Sequence, residues 1–189
     1  MFREFLNIIT KSLKLDKTLY KENRYFGEAG IYFALTLIII ASLISIIPNN
    51  AFLDYMTNNF GLGDLNSPNI RTIIITNLIF WVLKSIYLYV FGSILFSNKG
   101  NKSSFKKTMI TVAYAHAPLM FNIVIINSAL LFLTIVFYIW YSITLIIGIN
   151  QIYNYKSILK SSILVMAPLI ILIVYTIYQF LNFKVGVLS

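Results

Sequence analysis

Lys84 and His116 are the two side chains whose surroundings most demand a chemical explanation. Lys84 lies in the run Trp81-Val82-Leu83-Lys84-Ser85, and His116 in Ala113-Tyr114-Ala115-His116-Ala117-Pro118. Each sits near the middle of a long apolar stretch. Ionisable groups at membrane depth are costly and usually face the bundle interior or water. Counted from the cation-rich ends of their stretches, the two lie at similar depth. One reading makes them a midplane polar site, with Tyr114 and Asn122, that recognises an anionic or polar group such as a lipid. The other reading is packing: Lys84 snorkels or bonds carbonyls, and a neutral His116 caps a helix–helix contact. Snorkelling alone is strained, because a lysine stem cannot cover half a bilayer. Candidate neutral partners are Asn77, Tyr87, Tyr114, Asn122 and carbonyls freed near proline.

Most other chemistries are excluded by what the chain lacks. It has no cysteine and one histidine, so thiolate sites, disulfides and a histidine-built zinc site are ruled out. The carboxylates are Glu4, Asp16, Glu22, Glu28, Asp54 and Asp64, all outside the apolar stretches. They cannot supply an intramembrane acid–base pair, and two cations without an acid make a poor proton relay. Glycine-rich phosphate loops, HExxH and Ser–Lys or Ser–His dyads at workable spacing do not occur. No catalytic residue, cofactor or metal is expected, and the chain reads as a non-enzyme.

The elements that must position these residues are membrane helices. Of the 189 residues, 59% are hydrophobic and 11% charged, against about 25% charged in a soluble domain. Five stretches, 29–47, 72–96, 105–126, 128–150 and 158–181, each meet the roughly 20 apolar residues that a spanning helix needs. The basic residues alternate between them. Arg3, Lys11, Lys14, Lys17, Lys21 and Arg24 precede the first stretch. Lys99, Lys102, Lys106 and Lys107 lie between the second and third, and Lys156 and Lys160 between the fourth and fifth. The opposite side carries only Arg71 and Lys184. The positive-inside rule then places the N-terminus in the cytoplasm and the C-terminus outside. The expected fold is all-α and polytopic: a basic cytoplasmic segment over 1–28, five helices over 29–181 and an external tail over 182–189. The first span is expected to act as a retained signal-anchor. The net charge of +9 is juxtamembrane and speaks for anionic headgroups, not nucleic acid.

Within this frame, residues 2–20 read as an amphipathic interfacial helix. Phe2, Phe5, Leu6, Ile9 and Leu13 recur at helical spacing, and Lys11, Lys14, Lys17 and Lys21 can meet headgroups. Pro48 suits the end of the first span. Residues 49–71 form the long external loop, with a short helix through Phe52, Tyr55, Met56 and Phe60 that Gly61-Leu62-Gly63-Asp64 would stop. Asn127-Ser128 must turn the chain, since 105–150 as one helix would be about 69 Å long. Ala113 and Ala117 have the small-xxx-small spacing of close helix contacts. Pro118 and Pro168 should kink their helices. Tyr138, Trp140 and Tyr141 sit mid-span, away from the interfacial aromatic belts, and suggest packing against the kinked helices.

The stretch Ser104–Phe121 resembles the signature of the Yip domain family, Ypt/Rab-interacting membrane proteins and their prokaryotic relatives. The family's Gly-Tyr-x-x-x-Pro pattern reads here as Ala113-Tyr114-Ala115-His116-Ala117-Pro118. Trp140, Ile147-Gly148-Ile149, Lys156-Ser157 and Pro168 agree downstream, and the similarity covers roughly 10–181. The resemblance implies a five-helix membrane domain with a cytoplasmic N-terminus and no catalytic residues. Ala113, Tyr114, Pro118, Trp140 and Pro168 are then signature and packing positions. Eukaryotic members bind prenylated Rab-type GTPases in trafficking or membrane shaping. This chain lacks the long acidic cytoplasmic tail of many of them, which argues against direct binding of a small GTPase. The expected role is the organisation of membrane lipids or partner proteins, including a second copy of the chain. A small transporter or channel-like subunit built on Lys84 and His116 is the alternative, and it requires the two to converge on one water-accessible cavity.

Overall fold

The computed structural model describes residues 2–60, 69–95 and 103–187. Among these there is no strand. The helices are α1 (Phe2–Leu13), α2 (Thr18–Lys21), α3 (Glu28–Ile44), α4 (Ile46–Phe60), α5 (Ile70–Leu95), α6 (Phe105–Tyr114), α7 (Phe132–Ile152) and α8 (Ile158–Val187). Short 3-10 segments cover Asn23–Phe26, Ala117–Val124 and Ser128–Leu130. Among the described residues, four stretches are helical, long and apolar enough to cross a membrane: Glu28–Phe60, Ile70–Ser93, Ser128–Ile152 and Ile158–Thr176.

The expected third span, 105–126, is not a continuous helix. The α-helix stops at Tyr114, and the chain continues as 3-10 from Ala117. Pro118 is the cause: it has no N–H, and its ring crowds the carbonyl four residues back. The part of this broken segment from Ile110 to Leu119 is the centre of the molecule, while Phe121, Ile123 and Val124 are exposed. Ile110 through Ala115, Ala117 and Pro118 are all buried. Helices α3, α5 and α7 pack around α6. Irregular backbone at membrane depth is tolerated where protein covers it.

Two other boundaries differ from expectation. The first apolar helix does not end at Pro48; the chain offsets at Ser45 and runs on as α4 to Phe60. Pro48 lies in the first turn of α4, where a missing N–H costs little. The Gly61–Asp64 stop and Lys99 and Lys102 lie outside the described residues. The N-terminal helix ends at Leu13, not near residue 20. Leu15 turns left-handed at φ 56°, Leu15 N–H reaches the Ser12 carbonyl, and Asp16 N–H reaches that of Lys11. Those two bonds are a Schellman closure. Asp16 Oδ1 then accepts from Thr18 N–H at 2.9 Å, opening α2. The Asn127 turn occurs as expected, in extended backbone before the Ser128–Leu130 segment.

Two glycines permit close approach. A Cβ on Gly148 would lie 2.6 Å from Thr111 Cγ2 and 3.0 Å from the Tyr20 ring, so α7 contacts both α6 and the N-terminal segment there. A Cβ on Gly30 would collide with the Tyr25 carbonyl. Trp140 stacks on Phe121 at 5.7 Å and 10°, so α7 packs on the broken segment as its mid-span aromatics suggest.

Candidate functional site

Lys84 and His116 converge, and Tyr141 brings them together. Lys84 Nζ donates to Tyr141 Oη at 2.7 Å and lies 4.5 Å from the ring centre. His116 meets the same ring edge-to-face, 4.8 Å between centroids. Its Nδ1 lies 2.8 Å from the Val112 carbonyl. A carbonyl only accepts, so Nδ1 carries the proton. The break after α6 places His116 toward α7, and Lys84 reaches from α5. Tyr141 is buried. The cluster therefore supplies a hydrogen-bonded, ring-covered cation of the kind a bundle interior can hold.

Tyr114 and Asn122 do not join it. Tyr114 is fully buried, and its partners are those of the segment leading into α3. Its hydroxyl donates to the Tyr25 carbonyl at 2.9 Å and lies 3.5 Å from that of Gly30. Its own carbonyl is the one that Pro118 deprives of a helical donor. Ser12 Oγ, from α1, donates to it at 2.6 Å. Pro168 leaves the Leu164 carbonyl in the same position, and Tyr87 Oη donates to that at 3.1 Å. Hydroxyls from neighbouring helices thus satisfy the backbone at both prolines. Pro168 itself is exposed on a helix that continues past it, so it is not a core packing residue. Ala113, Tyr114 and Pro118 are buried packing positions.

Asn122 lines a separate cavity of about 400 Å³ between α4 and α7, with Ser45, Pro48, Asn49, Phe52, Leu131, Thr134, Ile135 and Tyr138. Neither Lys84, His116 nor Tyr141 lines it.

The N-terminal segment is docked, not merely adjacent. Ile8 and Ser12 of α1 are buried in the core, and Phe5 meets the Phe33 ring at 5.9 Å. Asn7 Nδ2 donates to Tyr25 Oη at 2.9 Å. Lys11, expected at headgroups, turns inward instead: its Nζ lies 2.9 Å from Glu22 Oε1 and from Thr18 Oγ1, above the Tyr25 ring. Glu22 is also paired with Arg24. Lys14, Lys17 and Lys21 are exposed. Phe2 and Leu6 are exposed and Ile9 and Leu13 half-buried, so this stripe at i, i+4, i+7 and i+11 forms a second apolar face beside the docked one.

Sequence reasoning missed three participants. Tyr141 carried a signal, a tyrosine far from the interfacial belts. Ser12 did also, as a small hydroxyl one turn after Ile8 on the docked edge. Thr134 carried none.

No curated protein and no solved structure matches this chain. A family model described as the Yip1 domain matches residues 17–178, most of the chain's length, and the chain belongs to that family.

Proposed function

We propose that this multi-pass membrane protein is a non-enzymatic organiser of lipids or partner proteins, with α1 as its membrane-facing element. The observation that carries this reading is the three-sided character of α1. Phe5, Ile8 and Ser12 dock it to the bundle. Phe2, Leu6, Ile9 and Leu13 form a free apolar stripe, and polar and basic residues complete the circumference. A helix so built lies in the interface with its apolar face a few ångströms deep. Exposed Lys14, Lys17 and Lys21 then meet anionic headgroups of the cytoplasmic leaflet. A docked wedge on one leaflet favours curvature, in keeping with a membrane-shaping role.

The same reading has five crossings, an N-terminus inside and a C-terminus outside. The broken segment supplies the fifth: a ten-residue α-helix and an eight-residue 3-10 segment together extend about the 30 Å of the hydrocarbon core. The transport alternative is not adopted, because Lys84 and His116 converge on the Tyr141 ring and neither lines the cavity beside Asn122.

The chain has no native cysteine, so a single Leu6→Cys substitution gives a clean label. In liposomes containing anionic lipid, a fluorophore there should be quenched most by lipids carrying a shallow acyl-chain quencher. Quenching by aqueous iodide alone would exclude α1 from the interface.

A further inference from the structure

We infer that the half of α5 from Ile75 to Lys84 is a docking face for one transmembrane helix of another protein, a helix carrying an aspartate or glutamate at mid-membrane depth. Two observations carry the inference: a cation without a counter-ion, and a lane that no helix of this chain covers. Within the apolar stretch Ile70–Ser93, Lys84 lies about 14 Å along the helix from Ser93 and about 21 Å from Ile70. Its stem reaches neither interface from there. An ammonium has three N–H donors, and Tyr141 Oη takes one. The chain's 6 carboxylates all lie outside the five apolar stretches. A charge at this depth is held by pairing, and the acid that would pair with Lys84 has to come from another chain.

The course of α8 opens the lane. Tyr155 Oη donates to the Gly92 carbonyl and Tyr87 Oη to that of Leu164, so α5 and α8 run antiparallel side by side. One turn further along this contact, Lys84 on α5 stands level with Pro168 on α8. There α8 leaves the bundle: each residue from Leu169 to Tyr175 is at least 50% exposed. Beside it on α5, Ile75, Ile79, Phe80 and Leu83 are 49% to 63% exposed, with Lys84 half-buried at the end of the row. Lipid tails could cover the apolar part equally well, so the lysine decides the occupant. A lipid head would have to be drawn halfway into the hydrocarbon to meet it, whereas a spanning helix presents a side chain at that depth directly. The lysine stem is flexible, so Nζ can turn from Tyr141, leaving a neutral hydroxyl, to a carboxylate in the lane. A second copy does not fit, because it would bring a second Lys84 and no acid, and like charges repel. The inference rests on the part of the proposed function that gives the chain protein partners, and not on insertion of α1.

Förster transfer in liposomes tests this, from a donor on the full-length Lys156→Cys protein to acceptor-labelled synthetic leucine-rich helices of about 21 residues. Lys156 is exposed between α7 and α8, and the chain has no native cysteine. The synthetic helices carry a central glutamate, a central lysine, or leucine throughout. The glutamate helix should reach half-maximal transfer at about tenfold lower peptide-to-lipid ratio than the other two, the scale of a polar contact between membrane helices. Adding Lys84→Met should bring the glutamate helix to the leucine level, and Lys84→Arg should keep the preference. If Lys84→Met does not fold, the three helices compared on the parent protein and on Lys84→Arg carry the test. Three results would overturn the assignment: equal transfer to the glutamate and leucine helices; a glutamate preference that survives Lys84→Met; or transfer between differently labelled copies of the protein that excludes the glutamate helix, which would give the lane to a second copy. Each leaves the Leu6→Cys quenching unchanged, so failure here and failure of α1 to enter the interface are read separately.

Discussion

Ser12 Oγ donates to the main-chain carbonyl of Tyr114 at 2.6 Å, across 102 residues of chain. The bond exists because Pro118 has no N–H to give that carbonyl. The N-terminal helix therefore completes the backbone of the broken central segment. Tyr114 returns the connection through its hydroxyl, which donates to the Tyr25 carbonyl. One residue thereby ties α1, the Asn23–Phe26 segment and α6 into a single unit.

Ser12→Ala should cost about 1–3 kcal/mol, the usual penalty for leaving a buried acceptor unsatisfied. Thermal or denaturant unfolding in detergent measures it. Pro118→Ala restores an N–H four residues after Tyr114. The double variant should thus lose less than the sum of the two single losses, a coupling that a double-mutant cycle reads directly. Strict additivity would mean that the two sites are independent.

Gly148→Ala should destabilise the bundle by about 1–3 kcal/mol, the range for overpacking a filled core. The added methyl meets Thr111 Cγ2 and the Tyr20 ring. Thr111→Ser removes that Cγ2 and should recover part of the loss. A shift in unfolding midpoint for the single variant, partly reversed in the double, is the expected readout.

Tyr141→Phe should be more damaging than Lys84→Met. The first leaves a lysine in the bundle without its hydroxyl partner, at a cost of about 1.5–3 kcal/mol for a hydrogen bond to a charged group. The second removes the costly group itself and leaves a neutral hydroxyl, so its effect should be small. Comparing the two unfolding midpoints settles the order. A larger loss for Lys84→Met would point to a role for the lysine beyond its bond to Tyr141.

Docking of the N-terminal segment should weaken in acid. The Lys11 side chain beside Glu22 holds that carboxyl below its usual 4.5, with the adjacent Arg24 adding to the effect. A lowered carboxylate stabilises the folded form above its unfolded pKa, and the contribution is lost as pH falls through the folded value. Lys11 is raised above its usual 10.5, chiefly by its bond to Glu22. Its contribution is present below that value and fades as pH climbs through the raised one. A spin label at Lys14→Cys should therefore be least mobile between about pH 4.5 and 10.5, the two unshifted values. It should loosen below the lower bound, and Glu22→Gln should show a weaker acid transition, the remainder coming from Asp16, whose carboxyl the Thr18 N–H also holds below its usual value.

The sequence by itself determined the membrane character, the all-helical class and the family. Long apolar runs can satisfy their backbone in hydrocarbon only as helices, and their length follows from bilayer thickness. It also determined that Asn127-Ser128 turns the chain and that Pro118 disturbs the third run, because both are local properties of the backbone. Tertiary structure decided the rest. Whether the third run kinks or breaks depended on what could satisfy the Tyr114 carbonyl, and Ser12 lies 102 residues away. Lys84 and His116 stood out from their apolar neighbours, yet their meeting point is a tyrosine on a third helix. Lys11 looked like its neighbouring lysines until Glu22 and the Tyr25 ring came within reach of it. Asn122 and Thr134 share a cavity only because the broken segment and α7 pack side by side. Periodicity reports which face a residue occupies; which groups meet across that face is set by how the helices pack.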